Sequence, residues 1–239
     1  MLESNHKKFN HLKIHSQYSI CEGAIKIDEL KDKAKELKIS SLGLCDTSNL
    51  CGAVEFSDKL SKIGTQPIIG TQINFKYSDT IGLLPLFALN EEGYKRIIEL
   101  SSLSFLQNDE SSEPHLEFDQ LLKNNEGVSL FSGTVHGLFG QLFDKGKFND
   151  IEKLYSKLKL NCKNRFYIEI QRHGDQNEVS FEKYNLIKSH DLEIPLIATN
   201  EVFYINKNMH EAHDALICIK NKTYINEKNR VKLSDQHYL

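Results

Sequence analysis

Several things are missing from this chain, and each absence narrows what it can do. Positive charge is not in surplus: 30 Lys and Arg stand against 33 Asp and Glu, a net charge of −3. A protein that binds nucleic acid unaided carries a basic excess, because phosphate neutralisation drives that binding; composition gives it no support. The five cysteines are odd in number and form no CxxC pair, which argues for reduced, mostly buried thiols rather than a disulfide framework. Met1-Leu-Glu-Ser-Asn-His-Lys-Lys lacks the apolar core of a signal peptide. No apolar run approaches a membrane span. There is no GxGxxG, Walker loop, GxSxG elbow, internal repeat or low-complexity tract. Lys145-Gly146 is not a phosphate loop, since no strand and no glycine run precede it. The expectation is a soluble, cytoplasmic protein.

What is present supports a packed core: 39% of the 239 residues are hydrophobic and 26% charged. His11 to Ile14 reads as a short strand running into a polar turn closed by Gly23. Ile27, Leu30, Ala34 and Leu37 then repeat at helical spacing, and Ile39 to Cys45 reads as a buried strand. Ala53, Phe56, Leu60 and Ile63 stripe a second helix, followed by a strand from Pro67 to Phe75. This β-α-β-α-β opening predicts parallel strands with crossover helices. Thr80 to Ala88 is the next strand, with Pro85 expected at an edge, bulge or irregular end. Asn90 caps a helix bearing Tyr94, Ile97 and Ile98. Residues 107–117 form a polar loop within one domain, and Phe118 to Lys123 a short helix. Further strands are expected at Gly127–Phe131, Arg165–Ile170 and Ile194–Thr199, the last of them buried. Helices fall around Ile151–Leu158, Phe181–Ile187 and His210–Lys220, and the tail from Asn221 is polar and irregular. About seven strand-helix units result, fewer than the eight of the common barrel.

Polar or ionisable clusters follow the strands, near His15, Asp46, Gln72, Ser132, His173 and Asn200, and in a barrel those strand ends converge on one mouth. Two histidines and Glu22 close to the first strand suit metal coordination. Asp46 serves either as a catalytic acid or base or, more simply, as a helix N-cap. His173 reads as a surface or hydrogen-bonded histidine, and His213 as a packed one. His115, His136, His210 and His237 have no supporting context. Cys45 and Cys51 read as core thiols. The lysines at 31, 33, 35 and at 157, 159, 163 read as solvated helix faces.

Seven stretches together resemble a family. His11-Leu-Lys-Ile-His-Ser-Gln-Tyr-Ser, Leu44-Cys-Asp-Thr-Ser-Asn-Leu-Cys-Gly-Ala-Val-Glu-Phe56, Pro67-Ile-Ile-Gly70 and Asn90-Glu-Glu-Gly-Tyr94 come first. Phe166-Tyr-Ile-Glu-Ile, Ile197-Ala-Thr-Asn-Glu-Val and Ala212-His-Asp-Ala-Leu-Ile-Cys-Ile219 follow in register. They look like the N-terminal PHP (polymerase and histidinol phosphatase) domain of bacterial replicative DNA polymerase III alpha subunits. The resemblance runs from about Phe9 to the end. It implies an α/β fold, a distorted seven-stranded (β/α)7 barrel, as one domain over 9–239 behind an N-terminal tail at 1–8. The chain then reads as ending before the polymerase palm.

Intact members carry a trinuclear zinc or manganese cluster that cleaves phosphate esters or pyrophosphate. Carried over residue by residue, most ligands of that cluster are replaced. The opening HxH falls on Lys13 and His15, the following aspartate on Glu22, and the next histidine on Thr47, beside Asp46. Further ligands fall on Gln72, Leu83 and Thr134. The closing Asp-Val-His falls on Glu201, Val202 and Phe203. His15, Glu22 and Glu201 survive as donors. The implied role is structural: a module of a DNA-directed DNA polymerase (a nucleotidyltransferase) in DNA replication. Its metal site is degenerate and it expects no cofactor. The implied partners are the proofreading exonuclease subunit and the remaining polymerase III core, with DNA reached only through the full polymerase and no membrane. The alternative is a stand-alone metal-dependent phosphoesterase or pyrophosphatase, or a protein holding one weakly bound divalent cation (Zn, Mn or Mg).

Overall fold

The structure is a computed structural model that describes residues 9–109 and 111–239. The tail expected at 1–8, and Glu110 in the long loop, lie outside the described residues. Strands β1 (Lys13–Ile14), β2 (Ser41–Thr47) and β3 (Gln66–Tyr77) pair in parallel, joined by helices α1 (Ile27–Glu36) and α2 (Ala53–Ser61). Ile14, Leu42 and Leu44 face outward, and Ile27, Leu30, Ala34, Phe56 and Leu60 pack onto them. The crossover geometry read from periodicity is therefore present. β4 (Thr80–Ala88) departs from it: it runs antiparallel to β3 through a two-residue Ser78-Asp79 loop in which Ser78 takes φ of 56°. Pro85 is not at the edge, bulge or irregular end expected, because it pairs with Gln72 inside the β3–β4 ladder; it sits one residue beyond the β4 ladder to β6 (Val128–Phe131), which covers Leu86 to Ala88, so its missing N–H leaves that second ladder intact.

Helix α3 (Glu91–Leu106) starts at Asn90, whose side chain accepts from the Gly93 N–H at 2.9 Å. The polar loop that follows is less open than expected, because its last two residues form β5 (Leu116–Glu117) against β3. Then come α4 (Phe118–Lys123), α5 (Leu138–Asp144), α6 (Phe148–Cys162), β7 (Phe166–Ile170) and α7 (Glu178–Asp191). α5 carries no sequence stripe that announces it. Side chains from α3 to α7 and the outer faces of β3, β4, β6 and β7 form the larger core cluster.

Strands β8 (Leu196–Ala198) and β9 (Glu201–Val202) are two halves of one extended segment. β8 pairs with β7, and β9 pairs with β1. The sheet order β8-β7-β6-β4-β3-β2-β1-β9 thus begins and ends on the same stretch of chain, broken at Thr199-Asn200. With β5 off that path, seven staves enclose the barrel. The segment is not the buried strand expected, because Leu196 is 42% exposed and Ala198 is also exposed. Inside, Leu12, Cys45, Ile68, Phe87, Phe131, Tyr167 and Ile197 make one apolar layer, one side chain per stave. A Cβ at Gly70 would lie 2.4 Å from the Phe87 ring, so the glycine makes room for that layer. After α8 (His210–Asn221), the tail returns across the barrel mouth and bridges Tyr204 at Tyr238.

Candidate functional site at the barrel mouth

Above the apolar layer the interior turns polar. Period-2 alternation along β7 aims Glu169 to the same side as Tyr167, and Lys13 of β1 and Glu201 of β9, paired in register, meet it there. Lys13 Nζ lies 3.4 Å from Glu169 Oε1 and 3.1 Å from Glu201 Oε1, with the lysine and Glu169 side chains fully buried. These contacts are ion pairs rather than aligned hydrogen bonds, since Lys13 Nζ and Glu169 Oε2 have no well-directed partner. Burial alone would push the Lys13 ammonium down, but Glu169 and then Glu201 outweigh it and raise it above the ordinary lysine value. Burial also works against the Glu201 carboxylate, yet Lys13 and then His15 hold it well below the usual range. Gln171 Nε2 donates to Glu169 Oε1 and to Thr199 Oγ1, each at 2.9 Å, and Thr199 donates to Glu169. Burial pushes the Cys45 thiol far up, which leaves it inert as a nucleophile.

His15 continues the network upward. Its Nε2 lies 3.2 Å from Glu201 Oε1 and its Nδ1 3.4 Å from Ser19 Oγ. Ser19, His15 and Glu201 thus have the connectivity of a hydrolytic triad. The chemistry does not follow, because Ser19 is buried and gives its proton to Asp46 Oδ1 at 2.7 Å. Asp46 is not a helix cap. Its carboxylate also accepts from Ser16 N–H and Ser16 Oγ, both at 2.7 Å, and so ties the turn after β1 to the end of β2. Cys51 is likewise no core thiol but exposed, although Cys45 is buried as expected.

The three donors His15, Glu22 and Glu201 do not meet at one point. His15 and Glu201 touch each other, whereas Glu22 accepts from Thr47 Oγ1 and from Lys220 Nζ, each at 2.5 Å. Gln72 Nε2 donates to Thr47 Oγ1 at 3.0 Å. Phe203 stacks on His15 at 4.6 Å on one side and on His213 at 5.4 Å on the other. His213 is the packed histidine expected, with Nε2 2.7 Å from the Glu22 carbonyl. A cavity of about 240 Å³ remains at the mouth, where Leu83, Thr134, Phe203, Ile217 and Leu233 contribute to its wall.

Two groups escaped the sequence reading. Glu169 had a signal, since alternation in Phe-Tyr-Ile-Glu-Ile places it on the same face as Tyr167. His237 had none, but it is buried at the mouth: its Nδ1 donates to the Glu201 carbonyl at 3.0 Å and its ring stacks on His173 at 4.0 Å. His173 is buried and hydrogen-bonded, and burial, then the neighbouring His237, holds it below the usual histidine value. Among the described residues, His173, Asp175 and His237 are the one group of three His, Cys, Asp or Glu side chains close enough to share an ion. No helix is long and apolar enough to cross a membrane, among the described residues.

Comparison with known proteins agrees with this architecture. DNA polymerase III subunit alpha of Caulobacter vibrioides is 33% identical over 251 aligned residues, covering 100% of this chain and 22% of the relative. The same subunit of Rickettsia felis is 36% identical over 89% of this chain and 18% of its own length. The chain therefore spans about a fifth of the curated relatives it matches. A crystal structure from Bifidobacterium adolescentis, assigned as a metal-dependent phosphoesterase, superposes with a TM-score of 0.52 at 10% identity, over 80% of this chain and 86% of that one. At that identity the likeness is one of fold. A profile of the PHP domain matches residues 11–173, most of the barrel, and with relatives aligned along the whole chain it assigns this protein to the PHP domain family.

Proposed function

We propose that this chain is the PHP-domain portion of a bacterial replicative DNA polymerase III alpha subunit, a cytoplasmic replication protein. Its role there is structural: it supports the polymerase core and docks the proofreading exonuclease subunit, and DNA is met only through the whole polymerase. The observation that carries the reading is the similarity to alpha subunits along the full chain. The residues present do not suit the metal cluster of intact family members. Clustered dications need converging anionic donors. Here an ammonium, Lys13, sits between the two buried carboxylates Glu169 and Glu201. Phe203 is packed between two imidazoles, and Glu22 is taken up by Thr47 and Lys220. No hydrolytic step is derived through such a cluster.

The test is direct binding of the purified chain to the exonuclease subunit of the same organism, beside a phosphoesterase assay across zinc, manganese and magnesium. Micromolar or tighter association without hydrolysis is expected. Hydrolysis abolished by His15→Ala, with no exonuclease binding, overturns the reading in favour of a free-standing phosphoesterase.

A further inference from the structure

A second ionisable cluster lies beside the Lys13 network and shares no side chain with the positions that match the family's metal ligands. The turn after β7 carries His173 and Asp175, and the tail brings His237 against them. Their protons can be counted. Asn200 Nδ2 donates to the Tyr238 carbonyl at 2.7 Å, which turns Asn200 Oδ1 toward His173 Nε2 at 2.6 Å. Asn200 Oδ1 thereby claims the Nε2 proton of His173 at 2.6 Å, over the longer hydrogen bond that the Glu201 N–H donates toward the same nitrogen at 3.3 Å. His173 Nδ1 then presents a lone pair to Glu178 Oε1, 3.2 Å away. His237 repeats the pattern. Its Nδ1 proton goes to the Glu201 carbonyl, and its Nε2 faces Asp175 Oδ2 at 3.3 Å without an aligned hydrogen bond.

Two imidazole lone pairs thus face two carboxylates in a buried niche. The side chains are 2% exposed for His173, 3% for His237, 8% for Glu178 and 11% for Asp175. Extra protons would relieve the facing lone pairs, but they would also stack two imidazolium rings 4.0 Å apart. One divalent cation relieves both. An imidazole whose far N–H is held by a carbonyl oxygen is also the usual state of a metal-bound histidine.

We propose that His173, Asp175 and His237 form a zinc site, distinct from the family's cluster positions, that fastens the C-terminal tail to the turn after β7. Two imidazoles and one carboxylate favour Zn²⁺ over Mg²⁺ or Ca²⁺, which prefer all-oxygen shells. Water fills the fourth position. The ligand atoms now lie within 4.8 Å of one another. Tetrahedral zinc with bonds of about 2.0–2.1 Å needs separations of roughly 3.3 Å. Binding therefore draws the three side chains inward by about an ångström and turns the stacked rings edge-on to the ion.

The test uses the untagged full chain, stripped with chelator and titrated calorimetrically with Zn²⁺ alone. One equivalent is expected to bind, with the tail gaining protection from proteolysis after Lys228 and Arg230. His237→Gln and Asp175→Asn are each expected to weaken binding by more than roughly 10-fold, while the double variant His15→Gln/Glu22→Gln keeps it. Co²⁺ in place of zinc is expected to show tetrahedral d–d absorption in the wild type and to lose it in Asp175→Asn. Circular dichroism checks that each variant folds. If His237→Gln fails to fold, Asp175→Asn and the wild-type tail protection decide. Absence of saturable zinc binding refutes the site. So does binding that survives both His237→Gln and Asp175→Asn, or that disappears in His15→Gln/Glu22→Gln.

Discussion

Replacing Lys13 by methionine isolates what the buried ammonium contributes. Methionine keeps the length and the apolar stem but removes the charge. Glu169 and Glu201 would then face each other in the barrel without their counter-ion. Removing one partner of a buried ion pair costs about 3–5 kcal/mol, because the remaining charge stays desolvated. For a domain of this size that corresponds to a melting temperature lower by roughly 6–20 °C. Urea unfolding followed by circular dichroism measures the loss. A triple variant, Lys13→Met/Glu169→Gln/Glu201→Gln, should regain most of it, because neutral side chains of similar volume remove the stranded charge. The pH dependence has a definite sign. Lys13 is raised in the folded chain, so its contribution is complete below the unfolded value of 10.5 and is lost as pH climbs through the folded one. Glu201 is lowered, so its contribution is present above 4.5 and is lost as pH falls through the depressed folded value. The gap between wild type and Lys13→Met is therefore widest between those limits and narrows in acid. A Lys13→Met chain within about 1 kcal/mol of wild type at pH 7, or a triple variant no more stable than the single one, would refute the reasoning, since either falls outside the range for a stranded buried charge.

Asp46→Asn weakens three hydrogen bonds to one carboxylate and should cost roughly 1.5–3 kcal/mol, read from the urea midpoint. Gly43→Ala would place a Cβ 2.2 Å from the Leu12 carbonyl oxygen, a backbone clash that calorimetry should register as a loss of at least ~1–3 kcal/mol. His11 and His213 are held below 6.5 by burial, so the unfolded chain takes up protons first and stability falls as pH drops below 6.5; His213→Gln should flatten that slope. Arg230 grips Asp214 with two bonds of 2.5 and 2.6 Å, and Arg230→Lys, which cannot reproduce the fork, should speed proteolysis of the tail while barely moving the melting temperature.

Local chemistry explains which parts of the fold were readable. Ile27, Leu30 and Ala34 lie on a helix that buries one stripe, and Asn90 caps as its side chain dictates, so both were legible from spacing and residue type. Four features left no such mark. The Ser78-Asp79 turn reverses β4 with no glycine to announce it. Asp46 resembles a cap in sequence, but Ser16 and Ser19, some thirty positions earlier, reach its carboxylate first. Glu201 was recognisable as a candidate donor, and Lys13 as the residue spoiling the motif. That the two satisfy each other, with Glu169 as third member, follows only from closure of the barrel. His237 lies in an irregular segment, where no periodicity assigns a face.

That closure also orders events in time. Lys13 is made early, but both its counter-charges lie in the last third of the chain, and the contact between His15 and Glu201 spans 186 positions. Until Glu201 has left the ribosome, β1 has a neighbour on one side only and Lys13 remains in water. The first three strands and their helices can assemble from local contacts, whereas the last seam waits until Glu201 is made. Loop closure over such a separation is slow. The step that dehydrates the ammonium is thus the step that completes the barrel, and a nascent chain carries an open sheet edge until Glu201 and Val202 emerge.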